Sequence, residues 1–246
     1  MFSKILNNFK KTDYSLPEFY QVDLHSHLIP QIDDGSKSME QSIELIKELK
    51  SIGFKKLITT PHTMMHRFPN SKDDILRGFE KLQDEVLKQN IDIKLEVASE
   101  YYYDDHFIGQ IRKKDLLTFG DNHILFEMSY TTPAFGLEQS VYELLKAGYK
   151  PILAHPERYT YFAAKPEKYN QLKDLGLQFQ LNVNSTDGFY GKKPQQAAKY
   201  LIENSLIDFV GSDTHRPNYV EALKQSLGNK LFRGIEEKNI IKNNTL

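Results

Sequence analysis

The sequence predicts an α/β domain built on parallel strands, and three observations carry that expectation. Short β-branched or aromatic runs alternate with helical patterns from residue 20 onward. The strand runs are apolar almost throughout, as expected of strands covered on both faces. Glycines such as Gly148 and Gly176 fall where helices should stop. A barrel and a doubly wound sheet both satisfy this pattern.

Taken in order, the first strand is Tyr20 to His25. The helix after it carries Met39, Ile43, Ile46 and Leu49 at three-to-four spacing, opens at Ser36 or Ser38 and stops at Gly53. "KKLITT" is the second strand. "SKDDILRGFEKLQDEVLKQ" begins with Ser71 three residues before Asp74, an acidic variant of the capping box, and lines up Ile75, Phe79, Leu82 and Val86 on one face. The later strands are "IKLEVAS", "HILFEMS", "KPILAH", "LQFQLNV" and "IDFVGS", with helices near 137–147, 166–175 and 194–204. Seven strands are therefore expected.

A chain of 246 residues, 39% hydrophobic, suits one domain, here residues 20–246 behind an N-terminal extension, 1–19. "MFSKILNNFKK" places Phe2, Ile5, Leu6 and Phe9 among lysines but lacks the apolar core and cleavage site of a signal peptide. A helix docked on the domain is the plainer reading, and a helix lying on a membrane surface is the alternative. No apolar run of about 18 residues is present to span a bilayer. A net charge of −1 and the lack of a basic stripe argue against nucleic acid. There is no cysteine, which fits a reducing compartment and removes every thiol nucleophile. A cytoplasmic protein is expected, peripheral to the inner face of the membrane only on the alternative reading of the N-terminal segment.

The polar residues sort to the strand ends. His25 and His27 end the first strand, His62 the second and Glu100 the third; Glu127 lies in the fourth, His155 ends the fifth, Asn182 and Asn184 the sixth, and Asp213 and His215 follow the seventh. In a parallel barrel these ends converge on one face. His25 and His27 stand two apart on extended chain, so both rings point the same way, and Asp213 and His215 repeat the spacing. Asp33 and Asp34 lie in a turn that Gly35 permits, so that a carboxylate swings back over the mouth. A single strand-end histidine is usually structural, and His66, His106 and His123 are left as such, with His66, four residues past His62 in the same loop, the first exception to consider; but five of eight histidines sorted beside four carboxylates are not scattered structural residues. So many charges in one cleft require cations. Imidazole and carboxylate without sulfur suit Zn, Mn or Fe. Nine ligands are too many for one tetrahedral site, so two or three divalent ions are implied, with Glu100 as a bridge.

In this order "DLHSH", "DDG", "TPH", "ASE", "FE", "AHPERY" and "SDTH" resemble the polymerase-and-histidinol-phosphatase (PHP) superfamily. Within it, "IDDG" with "AHPERY" resembles the bacterial tyrosine-protein phosphatases of capsule and exopolysaccharide operons. Over about residues 20 to 220 the resemblance implies a distorted seven-stranded (β/α) barrel with three metal ions. His25, His27, Glu100 and Asp213 would hold one, Asp34, His62 and His215 a second, and Glu100, Glu127 and His155 a third. Arg158 of "ERY" would hold the substrate phosphate. Related chains carry arginines soon after the "TPH" histidine; this one offers only Arg67, behind Met64 and Met65, and Arg216 follows the last histidine. For both, phosphate binding and a solvent-exposed loop charge are even readings.

The implied activity is hydrolysis of phosphotyrosine by attack of a metal-activated hydroxide, on the tail of a bacterial tyrosine kinase that controls polysaccharide export. Phenolate, with a pKa of about 10, leaves without a strong general acid. Phe189 and Tyr190, or Tyr101, Tyr102 and Tyr103, are candidates to stack on the phenyl ring, although rim packing is the commoner role of such residues. The competing readings are a small-molecule phosphomonoesterase such as a histidinol phosphatase, and a non-catalytic interaction protein with a relic site.

Overall fold

A computed structural model describes residues 15–163 and 165–246, so the expected N-terminal helix lies outside the described residues. Nine strand segments run β1 Val22–Asp23, β2 Lys56–Thr59, β3 His62–Thr63, β4 Lys94–Val97, β5 Glu100–Tyr102, β6 His123–Glu127, β7 Lys150–Ala154, β8 Gln178–Asn182 and β9 Phe209–Gly211. Every ladder is parallel, in a sheet ordered β1-β2-β4 and a second ordered β3-β5-β6-β7-β8-β9. The nine segments occupy seven strand positions, because β2 with β3 and β4 with β5 are single passes that break in the middle. Pro61, which has no N–H to give a ladder, stands in the first break. Pairing resumes across both breaks, as the Ala98 N–H donates to Thr59 O at 3.0 Å and the Glu100 N–H to Pro61 O at 3.1 Å.

β1 and β9 share no ladder; they meet along a seam. The Asp213 N–H donates to His25 O at 2.8 Å and the His27 N–H to Thr214 O at 2.9 Å. Below these, the buried Asp23 carboxylate accepts from the Ser212 N–H and Oγ and from the Tyr20 hydroxyl. Lower still, the Asn243 amide donates to Val22 O and Val210 O and accepts from the Val210 N–H, all within 2.9 Å. The arrangement is a distorted barrel of parallel strands with one edge closed by two backbone hydrogen bonds at its top and by side chains below.

Helices α1 Met39–Ile52, α2 Lys72–Lys88, α3 Asp105–Lys113, α4 Leu137–Lys146, α5 Thr160–Ala163, α6 Glu167–Asp174, α7 Lys192–Glu203, α8 Pro217–Leu227, α9 Lys230–Arg233 and α10 Ile235–Lys238 join the strands or follow them. Ser38, not Ser36, caps α1 by accepting from the Gln41 N–H, and the Ser71–Asp74 capping box forms in full on α2. Sequence reasoning missed α3, which is only nine residues long behind the cap Asp104, and α8 to α10 beyond residue 216.

Alternation along the strands divides the core in two. Ile124, Phe126, Leu153 and Val210 face outward into the main core under the helices, with Ile46, Leu82, Val141, Leu201 and Leu223. Leu125, Ile152, Ala154 and Phe209 face inward and fill one end of the barrel with Leu24, Ile58 and Ala98. The same inward register places Glu127 two residues after Leu125, at the other end. An apolar plug therefore stands directly beneath a polar mouth.

Candidate metal centre

Nine side chains expected as ligands reach that mouth. His25 and His27 lie on the segment leaving β1, His62 opens β3, Glu100 opens β5, Glu127 ends β6, His155 follows β7, and Asp213 and His215 follow β9. Asp34 enters from the loop after β1. That loop folds back on itself, with the Gln31 N–H on Ser36 O and the Ser36 N–H on His27 O. Gly35 serves this loop by its smallness: it has no left-handed φ, but a Cβ there would stand 2.4 Å from His27 O and 2.5 Å from His27 Cβ.

The donor atoms crowd together. His25 Nε2 lies 3.2 Å from Glu100 Oε2 and 3.4 Å from Asp213 Oδ1, and His27 Nε2 lies 3.4 and 3.6 Å from the same atoms. His62 Nδ1 is 3.2 Å from Glu100 Oε2 and 3.3 Å from Glu127 Oε1. His155 Nε2 is 3.0 Å from Glu100 Oε1, and Asp34 Oδ1 stands 3.5 Å from His62 Nε2 and 3.6 Å from His215 Nε2. Metal–ligand bonds of about 2.1 Å put neighbouring tetrahedral donors about 3.4 Å apart, close to these separations. The four groups whose ligand atoms gather within 4.8 Å are His27–His62–His215, His25–His27–Glu100, His25–His155–Asp213 and His62–Glu100–Glu127. Glu100 belongs to two of them.

Proton placement makes the case for cations. His27 Nδ1 is 2.7 Å from the Asp33 carboxylate and His25 Nδ1 is 2.8 Å from Gln180 Oε1, so each ring donates through Nδ1. That leaves two Nε2 lone pairs 3.3 Å apart, aimed at each other and at carboxylates. Asp34 Oδ1, His62 Nδ1 and Glu100 Oε2 are buried without a hydrogen-bond partner. Bare acceptors converging in a dry cleft are unfavourable until a cation stands among them, so the donor set fits divalent ions. In the protein alone, protons take that role. Burial disfavours a charged His25, but Glu100 and Asp213 outweigh it and lift its pKa to about 9. Burial and the neighbouring Glu100 charge push Glu127 well up, whereas burial of Glu100 is overcome by His25 and His62, which hold its pKa well down. Ion binding releases such protons.

The predicted arginines part company. The Arg158 guanidinium lies between the faces of Tyr130 and Tyr190, 4.5 and 4.4 Å from their centroids, and Nη1 donates to Asp213 Oδ2 at 3.3 Å. Both tyrosines are tied to candidate ligands, Tyr130 through its hydroxyl to Glu127 and Tyr190 to Asp213. Arg67 lies on the cavity wall, 60% exposed, 3.5 Å from Asp34 Oδ2. Arg216 turns away, is exposed, and donates to Asp34 O at 3.2 Å. Of the candidate ring-stacking residues, Tyr102 lines the cavity beside His66. Tyr101 stacks inward on Phe107, Tyr103 bonds to Ser140, Tyr190 holds Arg158 and Phe189 packs on Tyr219. The cavity is about 420 Å³, room for an arylphosphate side chain. His123 lies at the far end, between Phe119 and Phe209.

Imidazole and carboxylate donors gathered at the C-terminal ends of parallel strands, with no thiol and an arginine at the rim, define a metal-dependent hydrolase. The chain belongs to the capsular polysaccharide synthesis CpsB/CapC family, whose profile matches residues 21–237. It is 28% identical over 210 residues to the tyrosine-protein phosphatase CpsB of Streptococcus pneumoniae, covering 81% of this chain and 86% of that one. It is 29% identical over 195 residues to the tyrosine-protein phosphatase YwqE of Bacillus subtilis, covering 79% and 77%. A crystal structure from work on YwqE and CpsB, described as metal-dependent tyrosine phosphatases, superposes with a TM-score of 0.76 at 27% identity over 88% of this chain and 91% of that one. A lactonase from Listeria monocytogenes, 10% identical with a TM-score of 0.52, shares the fold alone.

Proposed function

We propose that this protein is a metal-dependent protein-tyrosine phosphatase, acting on the phosphotyrosine tail of a bacterial kinase that controls capsule or exopolysaccharide synthesis. The observation that carries this reading is the convergence of nine imidazole and carboxylate side chains beneath Arg158 in a cavity sized for an aryl phosphate. His25, His27, Glu100 and Asp213 would hold one ion, Asp34, His62 and His215 a second, and Glu127 and His155 with Glu100 a third. Divalent ions bound there would supply positive charge for the phosphoryl oxygens and a water of lowered pKa as the nucleophile.

The chain's own groups do the rest. Arg158, kept flat between two aromatic faces, offers its unspent N–H donors to the equatorial phosphate oxygens as charge spreads over them. Arg67, which also lines the cavity, is available for a second phosphate contact, while Arg216 anchors the Asp34 loop. Tyr102 and His66, in edge contact with each other on the cavity wall, together offer an aromatic surface to the phenyl ring. Phenolate, with a pKa of about 10, departs without a strong acid.

The test is turnover of a phosphotyrosine peptide and of histidinol phosphate at equal enzyme, before and after chelation and on re-addition of Mn²⁺ or Zn²⁺. Chelation is expected to abolish peptide hydrolysis and metal to restore it, with His25→Ala and His155→Ala inactive. Full activity after chelation, or a clear preference for histidinol phosphate, overturns the proposal.

A further inference from the structure

Inside the barrel, under the ligands, two amides connect His25 to Asp213. Gln180 Oε1 is 2.8 Å from His25 Nδ1, Gln180 Nε2 donates to Asn182 Oδ1 at 3.0 Å, and Asn182 Nδ2 donates to Asp213 Oδ2 at 2.7 Å. All four side chains are buried. Gln180 and Asn182 are two apart on β8 and therefore face the same way, inward, at a level where the other strands carry apolar residues or ligands. Gly211 on the neighbouring strand makes the room: a Cβ there would meet Gln180 Nε2 at 2.7 Å and His25 Cβ at 2.9 Å.

The chain of bonds has a polarity, and one charge fixes it. A carboxylate only accepts, so Asn182 must turn its NH₂ to Asp213. Tyr190 strengthens that choice, because its hydroxyl donates to Asp213 Oδ2 and takes the second Asn182 N–H at 3.3 Å. Asn182 then presents oxygen to Gln180, Gln180 must answer with its NH₂, and its oxygen is left for His25 Nδ1. His25 must therefore keep its hydrogen on Nδ1, so that Nε2, which faces Glu100 and Asp213 Oδ1, is the nitrogen left to take an ion. Reversing either amide would set two oxygens or two N–H groups against each other in a dry interior.

We propose that Gln180 and Asn182 are positioning residues, a directional amide relay by which Asp213 sets the tautomer of His25, so that two ligands of one ion are prepared by a single bond chain. This rests on His25 and Asp213 being metal ligands. The relay has one sense only, and neither amide acts alone: removing Asn182 frees Gln180 to turn over, although Asn182 does not touch His25.

The test loads the full-length protein with Zn²⁺, which is diamagnetic, and reads two quantities: Zn²⁺ affinity by chelator competition, and the His25 Nδ1–H resonance in ¹⁵N-histidine-labelled protein. Asn182→Leu is expected to weaken Zn²⁺ binding about 10- to 100-fold, the range typical of groups that orient metal ligands, and to shift or abolish the His25 Nδ1–H signal. Gln180→Met should do the same, and the double variant should be little worse than either single one. Gln180→Glu keeps an acceptor for His25 and should recover that signal where Gln180→Met, which fills similar volume without an acceptor, does not; a role confined to packing predicts no such difference. An unchanged His25 signal and affinity in Asn182→Leu overturns the relay. His25→Ala is the control for the ligand assignment: if it binds Zn²⁺ as tightly as the parent, the metal reading itself fails.

Discussion

His155 and Asp213 have φ of 35° and 52°, in the left-handed region where a residue with a side chain costs about 1–2 kcal/mol. At His155 the kink does two things. It turns the imidazole back toward Glu100, and it starts the tight turn Pro156–Arg158, whose Arg158 N–H donates to His155 O, so that Arg158 reaches the same mouth three residues later. Such detail was not legible in the sequence. The strand-end histidines and acids were, because each stands where an apolar run stops. Tyr130 and Gln180 were not, since a tyrosine in a loop and a glutamine in a strand look ordinary until their partners are known. The one available signal was the "QFQLN" alternation, polar on the face that a small barrel normally fills with apolar side chains. His123 illustrates the opposite role. Burial between aromatic rings, aided by Lys150, lowers its pKa to about 4. Its neutral form is favoured in the fold, so the stability it contributes is complete above its unfolded value of about 6.5 and is lost as pH falls from there to about 4. His123→Phe should therefore show a flatter decline of thermal midpoint across that window than the parent protein; parallel curves would contradict this.

Among the elements, α2 is the one whose ends were written most plainly. Ser71 accepts from the Asp74 N–H and the Asp74 carboxylate accepts from the Ser71 N–H, and the buried face is Ile75, Leu82 and Val86. Ser71→Ala should cost about 1 kcal/mol, lowering the thermal midpoint by roughly 2–4 °C in a chain of this size. No effect on metal affinity is expected, because α2 carries no ligand. Strand positions were legible to within a few residues, but their continuity was not. The expected Tyr20–His25 strand keeps a ladder only over Val22–Asp23. Beyond Asp23 the backbone bonds of His25 and His27 go across the seam, where a sequence offers no register to read. Helix α8 was legible in principle, since Val220, Leu223 and Leu227 repeat at helical spacing, whereas α9 and α10 are only four residues each, too short to show a period.

At the scale of the whole molecule, the metal centre depends on residues that never approach it. Asn243 ties Val22 to Val210 at the opposite end of the seam from Asp213 and His215. Replacing it with leucine would strand two carbonyls and an N–H in the interior. Asn243→Leu should lower unfolding stability by about 3 kcal/mol or more, measured by urea titration, and should weaken Zn²⁺ binding as β9 loosens from β1. Retention of both properties would show that the seam holds without its clasp. That seam also sets an order of events during synthesis. The Asp23–Ser212 staple joins residues 189 apart, so the nascent chain exposes its first two histidines long before their partners exist. Until β9 has left the ribosome those imidazoles form no closed pocket, and an unfinished chain has only half a grip on any ion it meets. Closure of the candidate site is therefore a late event, possible only once β9 is made and laid against β1.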